Sequence, residues 1–333
     1  MSGTLAVTTT DVARITERLF LTLGDRKRNL TAFWVLLVLA GVIASAGVVA
    51  DSTATVIGAM IVAPLMTPIL GTALALVLAD RRQLATNIAL VLGAATAVVA
   101  IGFLIGLTVQ VDVVAATNSQ VSGRVSPRLI DLLAAVATGM VGAFALVRAD
   151  VSDTLPGVAI AISLVPPLAV VGLTLESGEA GEAVGALLLF GTNVAAIIAT
   201  GTVVMIAAGI RHVAAEADLA DVTVGRLRGR SLVTVAASLV LVAVPLAAGS
   251  VRVLQEQRLV SQAEPIATSW AAAKGWQVSD VFLRGSSLHV VVIGTPPGPE
   301  GDDLRAAFDA EGLADVEVEL TLVVGGSETL DGA

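Results

Sequence analysis

The stretch Asp51–Ile69, DSTATVIGAMIVAPLMTPI, decides how the chain is read. Past Asp51 it carries no charge, and it opens an apolar run, Thr55–Ala79, longer than the roughly 20 residues needed to cross a hydrocarbon core. Pro64 and Pro68 stand inside that run at i, i+4 spacing. A proline lacks the N–H and collides with the carbonyl four residues back, so the carbonyls of Met60 and Pro64 are freed. In lipid such groups must be taken up by protein, water or a ligand.

Further runs of spanning length lie on either side of this one: Thr31–Ala50, Leu84–Val109, Leu129–Val147, Thr154–Leu175, Ala183–Ile210 and Leu232–Gly249. That makes seven spans, none with a Lys, Arg, Asp, Glu or His in its interior, as the cost of an intramembrane charge requires. The composition agrees, with 56% apolar and 14% charged residues, where a soluble domain carries about 25% charged. Mean hydropathy is +0.90. The expected fold is an all-α polytopic membrane protein with a small α/β domain at its C-terminal side.

The absence of cysteine excludes disulfides, thiol catalysis and Cys-ligated metals, and His212 and His289 are too few for an ordinary His-built metal centre. No nucleophile–base pair is visible, so neither an enzyme nor a cofactor or metal is expected. The first 30 residues are too polar for a secretory signal, with Arg26, Lys27 and Arg28 directly ahead of the first span. Thr9–Leu23, where Val12, Ile15, Leu19 and Phe20 oppose Arg14 and Arg18, reads either as an amphipathic helix on the membrane surface or as a solvated lead-in.

Charge divides the chain. Residues 250–333 hold 13 acidic and 5 basic side chains, whereas residues 1–249 hold 15 and 14. The domains are therefore a lead-in (1–30), a membrane body (31–249) and an acidic domain (250–333). The positive-inside rule puts the N-terminus in the cytoplasm of a cell-membrane protein, with 12 basic residues on that side and two, Arg124 and Arg128, on the other. Seven spans then leave residues 250–333 outside the cytoplasm.

Three pairs of segments recur in one order. Ala50-Asp51-Ser52-Thr53 is echoed by Ala149-Asp150-Val151-Ser152. Ala59–Leu65, containing Pro64, is echoed by Ile162–Leu168, containing Pro166 and Pro167. Thr86-Asn87 is echoed by Thr192-Asn193. Residues 31–109 and 129–210 thus read as a 3+3 inverted repeat, followed by an extra span at 232–249. Substrate sites in inverted repeats lie at the repeat interface on interrupted helices. The candidate substrate or ion site is Asp51, Ser52, Met60, Pro64, Pro68, Asn87, Asp150, Ser163, Pro166, Pro167, Thr192 and Asn193. The prolines supply two broken helices, while Asn87, Asn193 and Ser163 add polar side chains that could equally be interhelical glue. Asp51, Asp150 and Asp153 lie at span ends, where a helix N-cap or a solvated loop accounts for them as well. Gly102–Gly106 reads as a close helix-packing face.

In the acidic domain, Val251–Lys274 reads as a helix that Pro265 could interrupt. Trp276–Leu283 and Leu288–Ile293 read as strands, Asp302–Glu311 as helix and Asp315–Val324 as strand. The acidity argues against nucleic acid. His289 reads as a surface residue of its strand.

The segments DSTATVIGAMIVAPLMTPI, SLVPPL (Ser163–Leu168) and GTNVAAI (Gly191–Ile197) resemble the prokaryotic membrane family catalogued as domain of unknown function 389, over approximately residues 30–210. That resemblance implies a hydrophobic membrane protein and transfers no activity. The soluble domain that many of its members carry ahead of the spans lends nothing here, because residues 1–30 are a short lead-in. Two functions remain open: transporter-like or channel-like passage of a small solute or ion, or a non-transporting scaffold or sensor that anchors the acidic domain. The expected partners are the lipid bilayer, a small ion or solute, and a second copy of the chain.

Overall fold

The structure is a computed structural model that describes residues 7–109, 111–126, 129–148, 164–216, 251, 255, 257–284, 287–298 and 300–325. The chain divides into two compact units, Met1–Ser250 and Val251–Ala333.

The first unit is helical. In chain order it holds α1 (Thr9–Leu19), α2 (Arg26–Val49), α3 (Thr53–Val62), α4 (Met66–Leu78), α5 (Arg81–Gly106), α6 (Ser119–Val125), α7 (Leu129–Val147), α8 (Val165–Glu176), α9 (Ala180–Ala207) and α10 (Ile210–Glu216). Short polar side chains start several of these helices by accepting from first-turn N–H groups: Thr8 for α1, Asp25 for α2, Ser52 for α3, Asp80 for α5 and Asn118 for α6. The α1 cap is a reciprocal box, since Asp11 also accepts from the Thr8 backbone.

Among the described residues, α2, α5, α7 and α9 are long and apolar enough to cross a membrane, and α3 with α4 makes a fifth if that pair, bent by 47°, counts as one span. Large apolar side chains stay exposed along them, including Leu36 and Leu39 on α2, Leu92 and Leu104 on α5, Leu133 on α7 and Val203 on α9. Water would reject such faces and lipid accepts them. The seven-span expectation is met only in part. The described portion of the fifth run is the 12-residue α8, and Leu232–Gly249 lies outside the described residues.

The helices pack in a repeating pattern. Helix α4 lies against α5 and α9, and α8 lies against the same two. Helix α2 packs on α5, and α7 packs on α9. The Gly102–Gly106 face does pack closely, because Gly102 and Gly172 bring α5 and α8 together backbone to backbone. The apolar face of α1 meets neither a bare membrane surface nor water: Val12, Ile15, Leu19 and Phe20 are all buried in the protein's own core beside α4. The amphipathic stripe was legible, but a stripe does not say what covers it.

The second unit starts with a helix at residues 257–273, here α11, which continues through Pro265 without interruption. It is followed by β1 (Gln277–Arg284), β2 (Ser287–Gly294), α12 (Gly301–Ala310) and β3 (Glu317–Val324). The sheet order is β1-β2-β3, antiparallel between the first two strands and parallel between the last two. One face of the sheet buries Val281, Leu288, Val290 and Val292 with Trp270, Leu304 and Phe308. His289 departs from the surface expectation. It is buried, its ring stacks on Phe282 at 5.2 Å, and its Nδ1 is 3.4 Å from Glu319 Oε2.

Candidate functional site

Hydrogen bonds define two ends of the helical body. At one end Arg14 Nη2 donates to the Leu146 carbonyl of α7 (3.0 Å) and Arg211 Nη1 to the Val77 carbonyl of α4 (2.9 Å). Arg81 and Arg82 start α5 at that end. The guanidinium groups meet last-turn carbonyls that have no helical donor and carry the negative end of the helix dipole. At the opposite end Asn118 Nδ2 donates to the Val48 carbonyl of α2 (2.7 Å), and Asp51 accepts from Ser119 Oγ (2.7 Å) and the Gln120 N–H (3.0 Å). There too the Val113 N–H donates to Ser177 Oγ after α8, and the Ala115 N–H to Glu182 at the start of α9. Helix α4 therefore ends at the arginine-rich end and α8 at the far end. The two short helices run in opposite directions.

Their starting points can be read against the long helices, because all rise by about 1.5 Å per residue. Gly71 of α4 lies on Asn87 of α5: a Cβ there would be 2.6 Å from Asn87 Oδ1. The α4–α5 pair is an antiparallel hairpin, so Met66 is level with about Leu92. Gly172 of α8 lies on Val99 and Phe103 of α5, which brings Val165 level with about Ala95. From the other side, Gly201 of α9 meets Leu70 and Ala73, which sets Met66 near Ala195, while the α8–α9 hairpin sets Val165 near Gly191. Both readings start the two half-helices about 5 Å apart in depth, inside the body. Thr192 and Asn193, both buried, fall between the two levels.

The two hairpins also turn alike. Ala79 and Gly178 both take left-handed φ values, 55° and 82°. The Asp80 N–H returns to the Ala75 carbonyl as the Glu179 N–H returns to that of Thr174. Superposing these turns pairs Pro68 with Pro167. It pairs neither Ala59–Leu65 with Ile162–Leu168, which are about one helical turn out of register, nor Thr86-Asn87 with Thr192-Asn193, which are about two turns out of register on equivalent faces.

The sequence-chosen residues thus part company. Pro64 makes a true break: the α3 ladder ends with Ala63 N–H on Ala59, and the next bonds run from Thr67 to Pro64 (3.3 Å) and Ile69 to Leu65 (3.4 Å). The carbonyls of Met60, Ile61 and Val62 are left outside the ladder. Pro68 does not break a helix; it sits in the first turn of α4, where its missing N–H removes no bond. Pro166 and Pro167 likewise open α8. Asn87 lies below this level, donating to the Gln83 carbonyl of its own helix (2.8 Å), with its side-chain oxygen packed on Gly71 of α4. Asp51 and Ser52 lie at the far end, away from the half-helix starts. Asp51 is held below the usual carboxylate range, chiefly by the Ser119 hydroxyl, and Ser52 caps α3. Asp150 and Ser163 lie outside the described residues, as does Asp153. Among the described residues no three His, Asp or Glu side chains gather as metal ligands. Sequence reasoning missed Thr67, Arg14 and Asn118; the Asn-Ser ahead of α6 was the available signal for the last.

Residues 60–199 match the family described as a domain of unknown function, DUF389. The match begins at Met60, in the last turn of α3, and takes in α4 to α8 and most of α9. The chain is also 31% identical, over 178 residues, to an uncharacterized protein of Methanocaldococcus jannaschii. That alignment covers 53% of this chain and 54% of the archaeal protein, so the chain spans about half the length of the relative it matches. No solved structure matches.

Proposed function

We propose that the protein is a multi-pass cell-membrane protein that passes a small ion or polar solute through the level where α4 and α8 begin, on a 3+3 inverted repeat. One observation carries this reading: two oppositely directed half-helices start at nearly one depth between the same two long helices. The shared turn geometry and the exchanged packing of α4 and α8 on α5 and α9 support the repeat.

The chemistry of that level suits a small polar guest. Helix starts offer free N–H groups and a partial positive charge, the α3 break offers carbonyls, and Thr67, Thr192 and Asn193 offer side-chain polar groups. Met66, Thr192 and Asn193 are buried at this level. The basic residues gathered at one end support a cytoplasmic N-terminus, and seven crossings would then put residues 250–333 outside.

The test is flux in proteoliposomes across a panel of inorganic ions and small polar solutes. Uptake of at least one, lowered by Asn193→Leu, is the expected result. Silence across the panel overturns the reading. If deleting residues 251–333 then abolished the cellular role, the scaffold or sensor function would take its place.

A further inference from the structure

The two ends of the helical body are fastened in the same way. Helix α1 precedes α2, the first span of one half, and α6 precedes α7, the first span of the other. Each of these short helices crosses to the opposite half and holds the penultimate carbonyl of its first span. Arg14 of α1 donates to Leu146, one residue before α7 ends, and Asn118, the cap of α6, donates to Val48, one residue before α2 ends. Each also packs on the half-helix of its own half, α1 on α4 and α6 on α8. The cover at the arginine-rich end is deep, since Leu19 reaches Gly71: a Cβ there would lie 3.0 Å from the Leu19 carbonyl. At the far end the fastening is doubled, because Asp51, which follows α2, accepts from Ser119 and Gln120, and Gln120 Nε2 donates to Thr53 (2.8 Å).

We propose that α1 and α6 are paired latches, one at each end, and that access to the α4/α8 level from a given side requires releasing the latch on that side alone. This inference rests on the transport reading above and adds the gating elements to it. Both latch bonds are formed in the structure. Opening either end breaks a bond between the halves while leaving the α5–α8 and α7–α9 contacts in place. A rocking motion of one half on the other then has a stop at each extreme.

The chain has no cysteine of its own, so Thr192→Cys supplies a single thiol at the closed level. The full-length protein, reconstituted in vesicles, is exposed to a small membrane-impermeant cationic methanethiosulfonate from one side or the other. Arg14→Ala removes the α1 bond. Asp51→Gly removes the carboxylate from the far latch and suits the backbone, since Asp51 has φ 49°. The parent labels slowly from both sides. Arg14→Ala speeds labelling from the arginine-rich side only, and Asp51→Gly from the far side only, each by roughly tenfold or more, as loss of one charge-assisted hydrogen bond from Arg14, or of the two that Asp51 accepts, shifts a closed–open equilibrium.

Unchanged rates in both variants, or faster labelling from both sides in either, would overturn the proposal. Arg14→Lys and Asp51→Asn serve as milder companions, so that a variant which loses its monodisperse gel-filtration peak leaves its partner to be scored by the same one-sided criterion. Flux of the unsubstituted protein, with Thr192 intact and in vesicles prepared the same way, separates the two readings. One-sided labelling without flux keeps the latches and removes transport, whereas flux with unaltered labelling keeps transport and removes the latches.

Discussion

Replacing Gly172 with alanine probes the contact that fixes the depth of α8. A Cβ at Gly172 would lie 2.2 Å from the Val99 carbonyl oxygen, 2.6 Å from the Phe103 nitrogen and 2.9 Å from the Gly102 carbonyl carbon. All three are backbone atoms of α5, which cannot swing aside as a side chain can. Ordinary contact begins at about 3.5 Å, so the helices must part by about 1 Å. Overpacking of this kind costs about 1–3 kcal/mol, while alanine returns about 1 kcal/mol of helix propensity. The net expectation is a destabilisation of about 1 kcal/mol, the middle of a range of about 0–2 kcal/mol. Gly191, within α9, has nothing within 4 Å of a built Cβ, so Gly191→Ala keeps only the propensity gain of about 1 kcal/mol. Thermal unfolding in one detergent, followed by far-ultraviolet circular dichroism, should lower the midpoint for Gly172→Ala and raise it for Gly191→Ala. A Gly172→Ala midpoint at or above the parent's would refute the backbone-to-backbone contact and the depth argument built on it.

Two further outcomes follow from local geometry. Because the Asp51 carboxyl is held below the usual carboxylate range, its stabilising bonds are fully present above the pKa it has when unfolded. They are lost as pH falls through its lowered folded value. The difference in unfolding midpoint between the parent and Asp51→Asn should therefore hold steady from pH 8 to about pH 5 and shrink only in stronger acid; a difference that vanishes by about pH 6 contradicts the Ser119 bond. In the second unit, Arg305 ties the end of α12 to the entry of β3 through the carbonyls of Leu313 (2.7 Å) and Val316 (2.6 Å), while also meeting Asp309. Arg305→Ala should cost about 1–2 kcal/mol, read as earlier urea unfolding of the Trp270 and Trp276 fluorescence, and an unshifted curve would show those bonds to be idle.

What the sequence disclosed depended on whether the deciding physics was covalent and local. Pro64 could be read as a break because proline lacks its N–H wherever it sits. Pro166 and Pro167 read as a second break; they open α8, and residues 149–163 ahead of them lie outside the described residues. The Asn echo misled for a geometric reason. A shift of seven residues returns a helix to almost the same face, so Asn87 and Asn193 looked equivalent although only Asn193 reaches the level of the half-helix starts. Asp51 was noticed as a span-end carboxylate, but its partners Ser119 and Gln120 lie far along the chain, beyond the reach of any local pattern. The strands of the second unit were legible from alternation, whereas the burial of His289 depends on Phe282 and Glu319 from the two neighbouring strands.

The proposed path requires α4 and α8 to run in opposite directions, so that their C-terminal turns face opposite sides of the membrane. In the cysteine-free chain, Arg82→Cys marks the first turn of α5, just past the end of α4, and Ser177→Cys the turn after α8. An impermeant maleimide added to intact cells and then to inverted vesicles assigns a side to each. Labelling of the two positions from opposite sides is the predicted result, with Arg82→Cys on the cytoplasmic side. Labelling of both from one side would contradict the inverted arrangement and, with it, the proposed path.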